Sequence, residues 1–581
     1  MGSVSSWRQH DHKTAGRTGG GRERSMKRRD FFHLGAVAGA GALLPAACAS
    51  PQQDLSRPVA GNDASALWKR DLAVVNGRIV TLEDAQPAAE AVLVRQGRIT
   101  LVGTTDQVTR EAGSAPRFDA AGRTVVPGFV DPHVHFEMAC NALSYQVACH
   151  TPPLTSLREI KDALRMKAAG TPPGEWIIGR GSFGMAGRVE EGHLPERAEL
   201  DAVTEDHPLI LYSGFHVAMI NTRGLKELGL WDDDTNVPRG AILHRDASGA
   251  PTGVATEIWP MPPAYSVDQV KASLRAHARD LYVSKGITSI STLPLVGTDL
   301  VADQALQASG DLPIRLRAYY HVPHLLTLEG FLGMGLVQGF GTDMFRVGGV
   351  KIFVDGAGGD GLDRRFADFK WTQEELDSFV LRAHSHGVQL MMHAVTDPGH
   401  QMIEAAVEAT LAREPASLRP RIEHGGDVED IERVRRLARL GIIPVITPQQ
   451  ERATAPRTRP RTTPRYRTLV EAGVMPAACS DATGTVPVFS PLGAIASLVA
   501  SPEEGGGTPP GEELTFDDAL RMHTIWAARS GFEDDDRGSL AVGKFGDLAV
   551  LSADHEGMTG GELYDLRVDA TILGGEVVFE R

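Results

Sequence analysis

Short apolar runs that alternate with polar residues occupy both ends of the chain. The first group, in residues 71–128, is DLAVVNGRIVTL, AVLVRQGRITLVG and GRTVVPG; the second, after residue 537, is GSLAVGKFGDLAVLS and DATILGGEVVF. Period-two alternation with Asn-Gly and Gln-Gly turns indicates antiparallel strands. Because a few strands alone make only a marginal sheet, we expect one composite β-sandwich built from residues 70–126 and 536–581.

The middle of the chain alternates between buried-strand patterns and amphipathic helix patterns. The strand runs are FVDPHVH and then residues 286–292, 314–322, 347–356, 388–395, 420–426, 441–448 and 474–482. Segments such as TQEELDSFVLRAHSHG and DVEDIERVRRLARLG lie between them and end at a glycine, as helices do. Eight such units predict an α/β fold, a TIM (β/α)8 barrel over residues 127–535 with its site at the carboxyl ends of the strands.

One connection of this barrel is much longer than an ordinary loop. Residues 139–270 separate the first and second strands, whereas most connections in compact domains are shorter than about 15 residues. We therefore expect a large insertion that forms a lid or subdomain over the site.

Six side chains of metal-binding type occur in the predicted strands or directly after them. His133 and His135 are two residues apart on the first strand, so both face one side of it; the others are Lys351, His393, His424 and Asp481. Taken singly, a buried histidine or a helix-capping aspartate explains each position. The set at one rim favours one or two divalent cations, Zn²⁺ above all.

Charge limits the partners of this protein. The 581 residues carry a net charge of -15, and residues 1–48 are basic, so the remainder is more acidic still. An acidic body argues against nucleic acid or an anionic membrane surface as the main partner. We expect a small-molecule substrate, and a homo-oligomer remains open.

The basic start of the chain has the pattern of a targeting segment. MKRRDFFHLGAVAGAGALLPAACAS, from Met26 to Ser50, contains the pair Arg28–Arg29 and then a short Gly/Ala-rich apolar stretch. It resembles a twin-arginine export signal, and its end resembles a lipoprotein cleavage box with an acylated Cys48. We expect residues 1–50 to be a disordered leader and signal, and the protein to be periplasmic or a membrane-anchored lipoprotein. A buried or membrane-anchoring N-terminal helix is the alternative.

Three cysteines remain after Cys48. No CxxC pair exists, so a thiolate zinc cage is not expected. A disulfide between Cys140 and Cys149 is possible outside the cytoplasm. For Cys479 we expect core packing.

Several phrases carry a family resemblance. PGFVDPHVH, MMHAVTD, RIEHGG and CSDA are similar to motifs of the amidohydrolase superfamily. GSFGMAGR, FHVAMINTRGL, PTGVATE, VKIFVDG, YRTLVEAGV and GSLAVGKFGDLAVL resemble its amidohydrolase family 3 branch. The resemblance covers roughly residues 70–581 and implies the same barrel and composite sandwich.

The resemblance also implies a binuclear centre. One ion would be held by His133, His135 and Asp481, the other by His393 and His424, with a carbamylated Lys351 bridging both. A single ion with an unmodified lysine remains open.

The resemblance implies a hydrolase activity. A metal-activated hydroxide would cleave a carbon–nitrogen bond in a small non-peptide amide of N-acyl or N-formyl type. Asp481 would serve as the catalytic proton shuttle. His216, Asp355 and Asp397 are further candidates for substrate contact or for orienting ligands. An esterase, lactonase or phosphoesterase on the same site and a non-catalytic exported binding protein are the alternatives.

Overall fold

A computed structural model describes residues 68–238, 241–258, 264–356, 371–416, 418–425, 428, 430–448, 465–484 and 489–581. The predicted leader, the export signal and Cys48 lie outside these residues. Over the described ranges, no helix combines the length and the apolar character needed to cross a membrane.

The secondary structure begins with strands, continues as alternating strands and helices, and ends with strands. The strands are β1 (Leu72–Val75), β2 (Arg78–Val80), β3 (Ala88–Ala89), β4 (Ala91–Arg95), β5 (Arg98–Gly103), β6 (Arg117–Asp119), β7 (Thr124–Pro127), β8 (Phe129–Val134), β9 (Val147–Cys149), β10 (Ile177–Gly181), β11 (Leu209–Ser213), β12 (Val217–Ile220), β13 (Ile242–Arg245), β14 (Pro251–Thr256), β15 (Ile287–Thr292), β16 (Arg315–His321), β17 (Phe345–Phe353), β18 (Leu390–His393), β19 (Arg421–Glu423), β20 (Ile443–Ile446), β21 (Ala477–Ala478), β22 (Leu548–Leu551), β23 (Val568–Leu573) and β24 (Glu576–Glu580). The α-helices are α1 (Thr105–Ala112), α2 (Phe136–Tyr145), α3 (Leu157–Ala169), α4 (Arg197–Asp201), α5 (Thr222–Glu227), α6 (Val267–Leu281), α7 (Gly297–Ser309), α8 (Leu328–Gly333), α9 (Gln373–His384), α10 (Asp397–Leu411), α11 (Ile431–Leu440), α12 (Tyr466–Glu471), α13 (Pro491–Val499), α14 (Phe516–Met522) and α15 (Ile525–Ser530).

Eight parallel strands form the central sheet, in the order β8, β15, β16, β17, β18, β19, β20, β21. The two outer strands approach each other through backbone bonds. The amide of Asp481 donates to the carbonyl of His133 at 3.0 Å, and that of His135 donates to the carbonyl of Ala482 at 3.1 Å. The chain therefore folds as a TIM barrel, and the prediction of the barrel is confirmed.

The helices around the barrel begin where their caps predict. Thr372 and Glu375 form a capping box at the start of α9, and Ser266 and Gln269 form one at the start of α6. Their apolar faces join one large core cluster, for example Leu376 of α9 and Leu274 of α6. This packing holds the strand ends, and hence the site, in place.

Two further sheets contain strands from the chain ends. One has the order β5, β4, β1, β6; the other has the order β24, β23, β22, β7, β2, β3, and so combines strands from both ends. Residues of both sheets, such as Val92 and Ile572, belong to one apolar cluster.

The long connection between β8 and β15 contains its own sheet, in the order β13, β14, β12, β11, β10, β9. Apolar clusters lie against it, one with Leu164 of α3 and another with Leu225 of α5. Cys149 belongs to the first of these clusters, whereas Cys140 belongs to the barrel core, and both are free thiols. The disulfide considered between them is not formed, because the two side chains pack in different cores.

Candidate metal centre

Three predicted ligands meet at the junction of the first and last barrel strands. The Oδ1 atom of Asp481 lies 3.5 Å from Nε2 of His133 and 3.6 Å from Nε2 of His135. All three side chains are buried, and their donor atoms lie within 4.8 Å of one another. Two imidazole nitrogens and a carboxylate oxygen at this spacing suit a divalent cation such as zinc.

The other two histidines extend this cluster along the rim. The ring centre of His424 lies 5.2 Å from that of His133 and 4.8 Å from that of His393. Each of these side chains comes from the carboxyl end of a different strand or the residue after it. The barrel thus brings together residues that are far apart in the chain.

Lys351, in β17, is fully buried. Its Nζ atom has no hydrogen-bond partner among the described residues, and it lies 4.7 Å from the ring centre of Phe353. Burial lowers the pKa of this lysine to about 8. A neutral amine, the form that reacts with CO₂, is therefore accessible near neutral pH.

Electrostatics favour the neutral imidazoles that metals require. The pKa of each of His133, His135, His393 and His424 is lowered well below its ordinary value, first by burial. The ammonium of Lys351 contributes to the lowering in all four. Both effects keep the imidazoles neutral, which is the form that binds a metal.

Unpartnered polar atoms show that the cluster fits a cation. Nε2 of His393 and Nζ of Lys351 are buried, and the described chain offers neither of them a hydrogen bond. An orphaned buried nitrogen is costly unless something binds it. The donor set therefore fits one or two divalent ions.

The backbone at the site is left-handed at two predicted ligands. φ is 68° at His424 and 48° at Asp481, although neither residue is glycine. Such conformations are sparsely populated and occur often at functional sites. His424 directly follows β19, so its left-handed backbone coincides with the end of that strand.

A buried ion pair that the sequence reasoning missed supports the first histidine. Nδ1 of His133 is 2.5 Å from Oε2 of Glu423, and Arg421 donates to both carboxylate oxygens of Glu423 at 2.9 Å. Arg421 also donates to the carbonyl of Pro132 at 2.8 Å. The carboxylate sets which ring nitrogen of His133 faces Asp481. Period-two spacing of Arg421 and Glu423 in RIEH is the signal that points to one strand face.

The insertion contributes His216, a predicted substrate-contact residue. Its ring centre is 5.3 Å from that of His393, and its Nδ1 is 2.9 Å from Oε1 of Glu257. The adjacent Phe215 ring lies 4.9 Å from the ring of His135. Glu257, at a φ of 56°, is a second residue that the sequence reasoning missed.

The remaining candidates lie in different surroundings. Asp355 is fully buried and accepts hydrogen bonds from the amides of Val395 and Thr396, so it holds the loop after β18. Burial raises the pKa of Asp355 to about 6. Asp397 begins α10, is largely exposed and pairs with Arg433 at 3.0 Å. The structure does not bring Asp397 into the cluster.

A TIM barrel with buried imidazoles, a lysine and a carboxylate at its carboxyl-terminal rim defines a metal-dependent hydrolase. The chain belongs to the amidohydrolase family, whose sequence profile matches residues 117–579. It is accordingly a hydrolase of carbon–nitrogen bonds other than peptide bonds.

Three individual comparisons give the extent of the similarity in sequence and in fold. The chain is 29% identical over 550 residues to an N-substituted formamide deformylase of Arthrobacter pascens, covering 88% of this chain and 99% of that one. A metal-dependent hydrolase of Pyrococcus horikoshii has the same fold, with a TM-score of 0.64, 21% identity and coverage of 84% and 99% of the two chains. The zinc complex of an atrazine chlorohydrolase from Arthrobacter aurescens has a TM-score of 0.51, 15% identity and coverage of 88% and 95%.

Proposed function

We propose that this hydrolase cleaves N-formyl or other N-acyl amides of small amines at a zinc centre. The observation that carries the proposal is the buried cluster of four histidines with Asp481 and an unpartnered Lys351. A relative that is a formamide deformylase supports the N-formyl class. Zinc in a structure of the same fold supports the choice of metal.

The residues divide the work as follows. His133, His135 and Asp481 would hold one ion, and His393 and His424 a second. A divalent cation supplies positive charge that polarises a carbonyl and makes water more acidic. Asp481 accepts the proton of the attacking water and passes it to the nitrogen that leaves, because an amine anion is too basic to depart unaided.

Lys351 would bridge the two ions as a carbamate. The neutral amine would add to CO₂ and form an N–C bond as one C–O π bond opens, and one N–H proton would pass to solvent, so that the neutral amine becomes a carbamate anion. The lowered pKa of Lys351 favours this reaction because it raises the share of neutral amine. The anion would in turn compensate the charge of the cations.

We assign the insertion the role of a lid, since His216 and Phe215 contact the histidine cluster from it. With Nδ1 held by Glu257, the other nitrogen of His216 would donate a hydrogen bond to the substrate carbonyl.

The two sheets with a shared apolar cluster are proposed to form one composite sandwich that supports the barrel.

Metal content combined with intact mass tests the centre. We expect one or two zinc ions per chain and an adduct of about 44 Da that is lost in Lys351→Met. Chelation should abolish hydrolysis of N-benzylformamide, and zinc should restore it. Full activity in metal-stripped protein would refute the proposal, and faster hydrolysis of benzyl formate would favour an esterase instead.

Export is a separate proposal that rests on Arg28–Arg29 and on Cys48. We expect the protein in the periplasm or on a membrane, and Arg28→Lys with Arg29→Lys should retain it in the cytoplasm. Cell fractionation measures this, and unchanged export of the double variant would contradict a twin-arginine route.

A further inference from the structure

A cavity of about 100 Å³ lies between the insertion and the barrel mouth. Its wall is largely apolar and includes Leu293, Leu295 and Phe215. Phe215 is also the ring that contacts His135 of the histidine cluster. The cavity therefore begins next to the place where the amide would be cleaved.

One cation lies in the wall of this cavity. Arg180, in β10 of the insertion, is only 5% exposed. Its Nε donates to Oε1 of Gln146 at 3.0 Å, its Nη1 donates to the carbonyl of Gly214 at 3.3 Å, and its guanidinium lies 4.4 Å from the ring centre of Tyr212. These neutral partners orient the guanidinium without neutralising it.

The other buried arginines in the described part of the chain are paired differently. Arg315, Arg317, Arg421 and Arg537 each form an ion pair with a buried carboxylate. Arg180 forms none with any residue that the structure describes, and its guanidinium lies over the ring of Tyr212 instead. A buried cation without an anion is expensive, and a cation–π contact offsets only part of that cost.

The carboxyl groups of Glu137 and Asp299 also line the cavity. Glu137 accepts from Thr292, and Asp299 accepts from the amides of Leu295 and Val296. Neither carboxyl group forms an ion pair with Arg180, so these two groups do not supply the anion for the guanidinium.

We infer that Arg180 binds a carboxylate of the substrate. The substrate class is then an N-formyl or N-acyl amide that also carries an anionic group remote from the scissile bond, with an apolar or aromatic spacer against Phe215 and Leu295. This inference rests on the proposed function and narrows it. The carboxylate supplies the anion that Arg180 lacks, and the Tyr212 contact and the Gln146 bond hold the guanidinium ready for it.

A matched substrate series tests the charge. The zinc-loaded enzyme is assayed with 4-(formamidomethyl)benzoate, with neutral N-(4-methylbenzyl)formamide and with cationic N-(4-aminomethylbenzyl)formamide. We expect the anionic compound to have the highest kcat/KM. The selectivity ratio is kcat/KM for the anionic substrate divided by kcat/KM for the neutral substrate. Arg180→Met should lower this ratio by about 10- to 100-fold, as expected for the loss of a charged hydrogen bond.

Three further variants distinguish an effect of charge at Arg180 from a general effect on folding. Gln146→Glu places a carboxylate beside Arg180 and should lower the same ratio, whereas Arg180→Lys should retain part of it. Arg165→Met removes an exposed arginine of the same insertion, which pairs with Asp162, and should leave the ratio unchanged. Preference for the cationic compound, or a ratio unaffected by Arg180→Met, would overturn the inference.

Direct binding keeps the inference independent of catalysis. Calorimetric titration of 4-methylbenzoate into metal-free protein should show binding that is at least about tenfold weaker in Arg180→Met. If no formamide is hydrolysed but this difference is present, the proposed function fails and the anion site stands. No binding to the wild-type protein, or equal binding to both, would refute the anion site.

Discussion

Glu423 and Arg421 illustrate how single side chains hold the imidazole cluster. Both are completely buried, and the carboxylate is shared between the guanidinium and Nδ1 of His133. The pair therefore links a metal-binding position to a charge that has no access to water. Removing either charge affects both the stability and the site.

Glu423→Gln should weaken zinc binding by about 10- to 100-fold, because His133 loses the carboxylate that orients it. It should also destabilise the protein, since Arg421 becomes a buried cation without an anion. Zinc competition with a chromophoric chelator measures the first effect and thermal unfolding the second. Glu408→Gln, which removes an exposed carboxylate paired with Arg436, is the matched control and should change neither.

Asp481→Asn should lower kcat by roughly 10²- to 10⁴-fold, the usual range for loss of a positioned proton-transfer group. The substrate should still bind, because the shape of the side chain is kept. Single-turnover kinetics together with zinc content per chain separate loss of proton transfer from loss of metal. A normal kcat of Asp481→Asn with full zinc content would exclude Asp481 as the proton shuttle. If the wild-type protein binds the substrate but never turns it over, the chain is a binding protein instead.

Three buried carboxyl groups lie together near the start of α7, beside the cavity. Asp299 lies in the first turn of α7 and accepts from two amides of the loop before it. Glu137 of α2 and Asp303 of α7 are buried beside it, and the pKa of all three carboxyl groups is raised, chiefly by burial. We therefore expect the stability of the packing around these carboxyl groups to depend on pH.

Stability depends on pH because the pKa of Asp299 differs between the folded and the unfolded state. Asp299 has a pKa of about 7 in the folded protein against an ordinary value of 3.8. Between these values the folded state binds more protons than the unfolded state, so this group's contribution to stability is lost as pH rises through that window.

Asp299→Asn keeps an oxygen that can accept from the same amides but removes the ionisation. The Tm of the variant relative to wild type should therefore be higher at pH about 8 than at pH about 5. Asp268→Asn, at an exposed position of α6, should show no such trend. An equal Tm difference at both pH values would show that Asp299 does not titrate in this window.

One buried ion pair links the barrel to the outer sheets. Arg315 of β16 donates to both carboxylate oxygens of Asp547, at 2.7 and 2.9 Å, and both side chains are nearly inaccessible. Asp547 precedes β22 and also accepts from the amide of Gly574, at the turn between β23 and β24. This pair joins a barrel strand to the C-terminal strands.

Arg315→Met should destabilise the protein by about 3–5 kcal/mol, because it leaves the charge of Asp547 buried and unpaired. Arg275→Met breaks an ion pair with Asp311 whose side chains are 46% and 42% exposed, and should cost at most about 1 kcal/mol. Denaturant unfolding of the two variants gives the comparison. Equal midpoints would contradict the importance assigned to the buried pair.

The sequence by itself determined the barrel and the identity of the six candidate ligands. Strand alternation and turn residues are local features of the sequence, and they place His133, His393 and His424 in strands or directly after them. Asp481 lies in the loop that follows β21. Parallel strands in a barrel then bring those ends to one rim, which is why the cluster could be predicted.

Only the tertiary structure decided which residues support that cluster and what shapes the cavity beside it. The Glu423–His133 bond joins positions 290 residues apart. That no carboxylate of the described residues pairs with Arg180 likewise depends on the surroundings of Arg180 in the fold rather than on its own segment. Such side-chain contacts depend on the distances between helices and strands. The spacing of hydrophobic residues along the chain carries no information about these distances. For the same reason Asp397, four residues beyond His393 in the chain, lies on an exposed helix end instead of in the site.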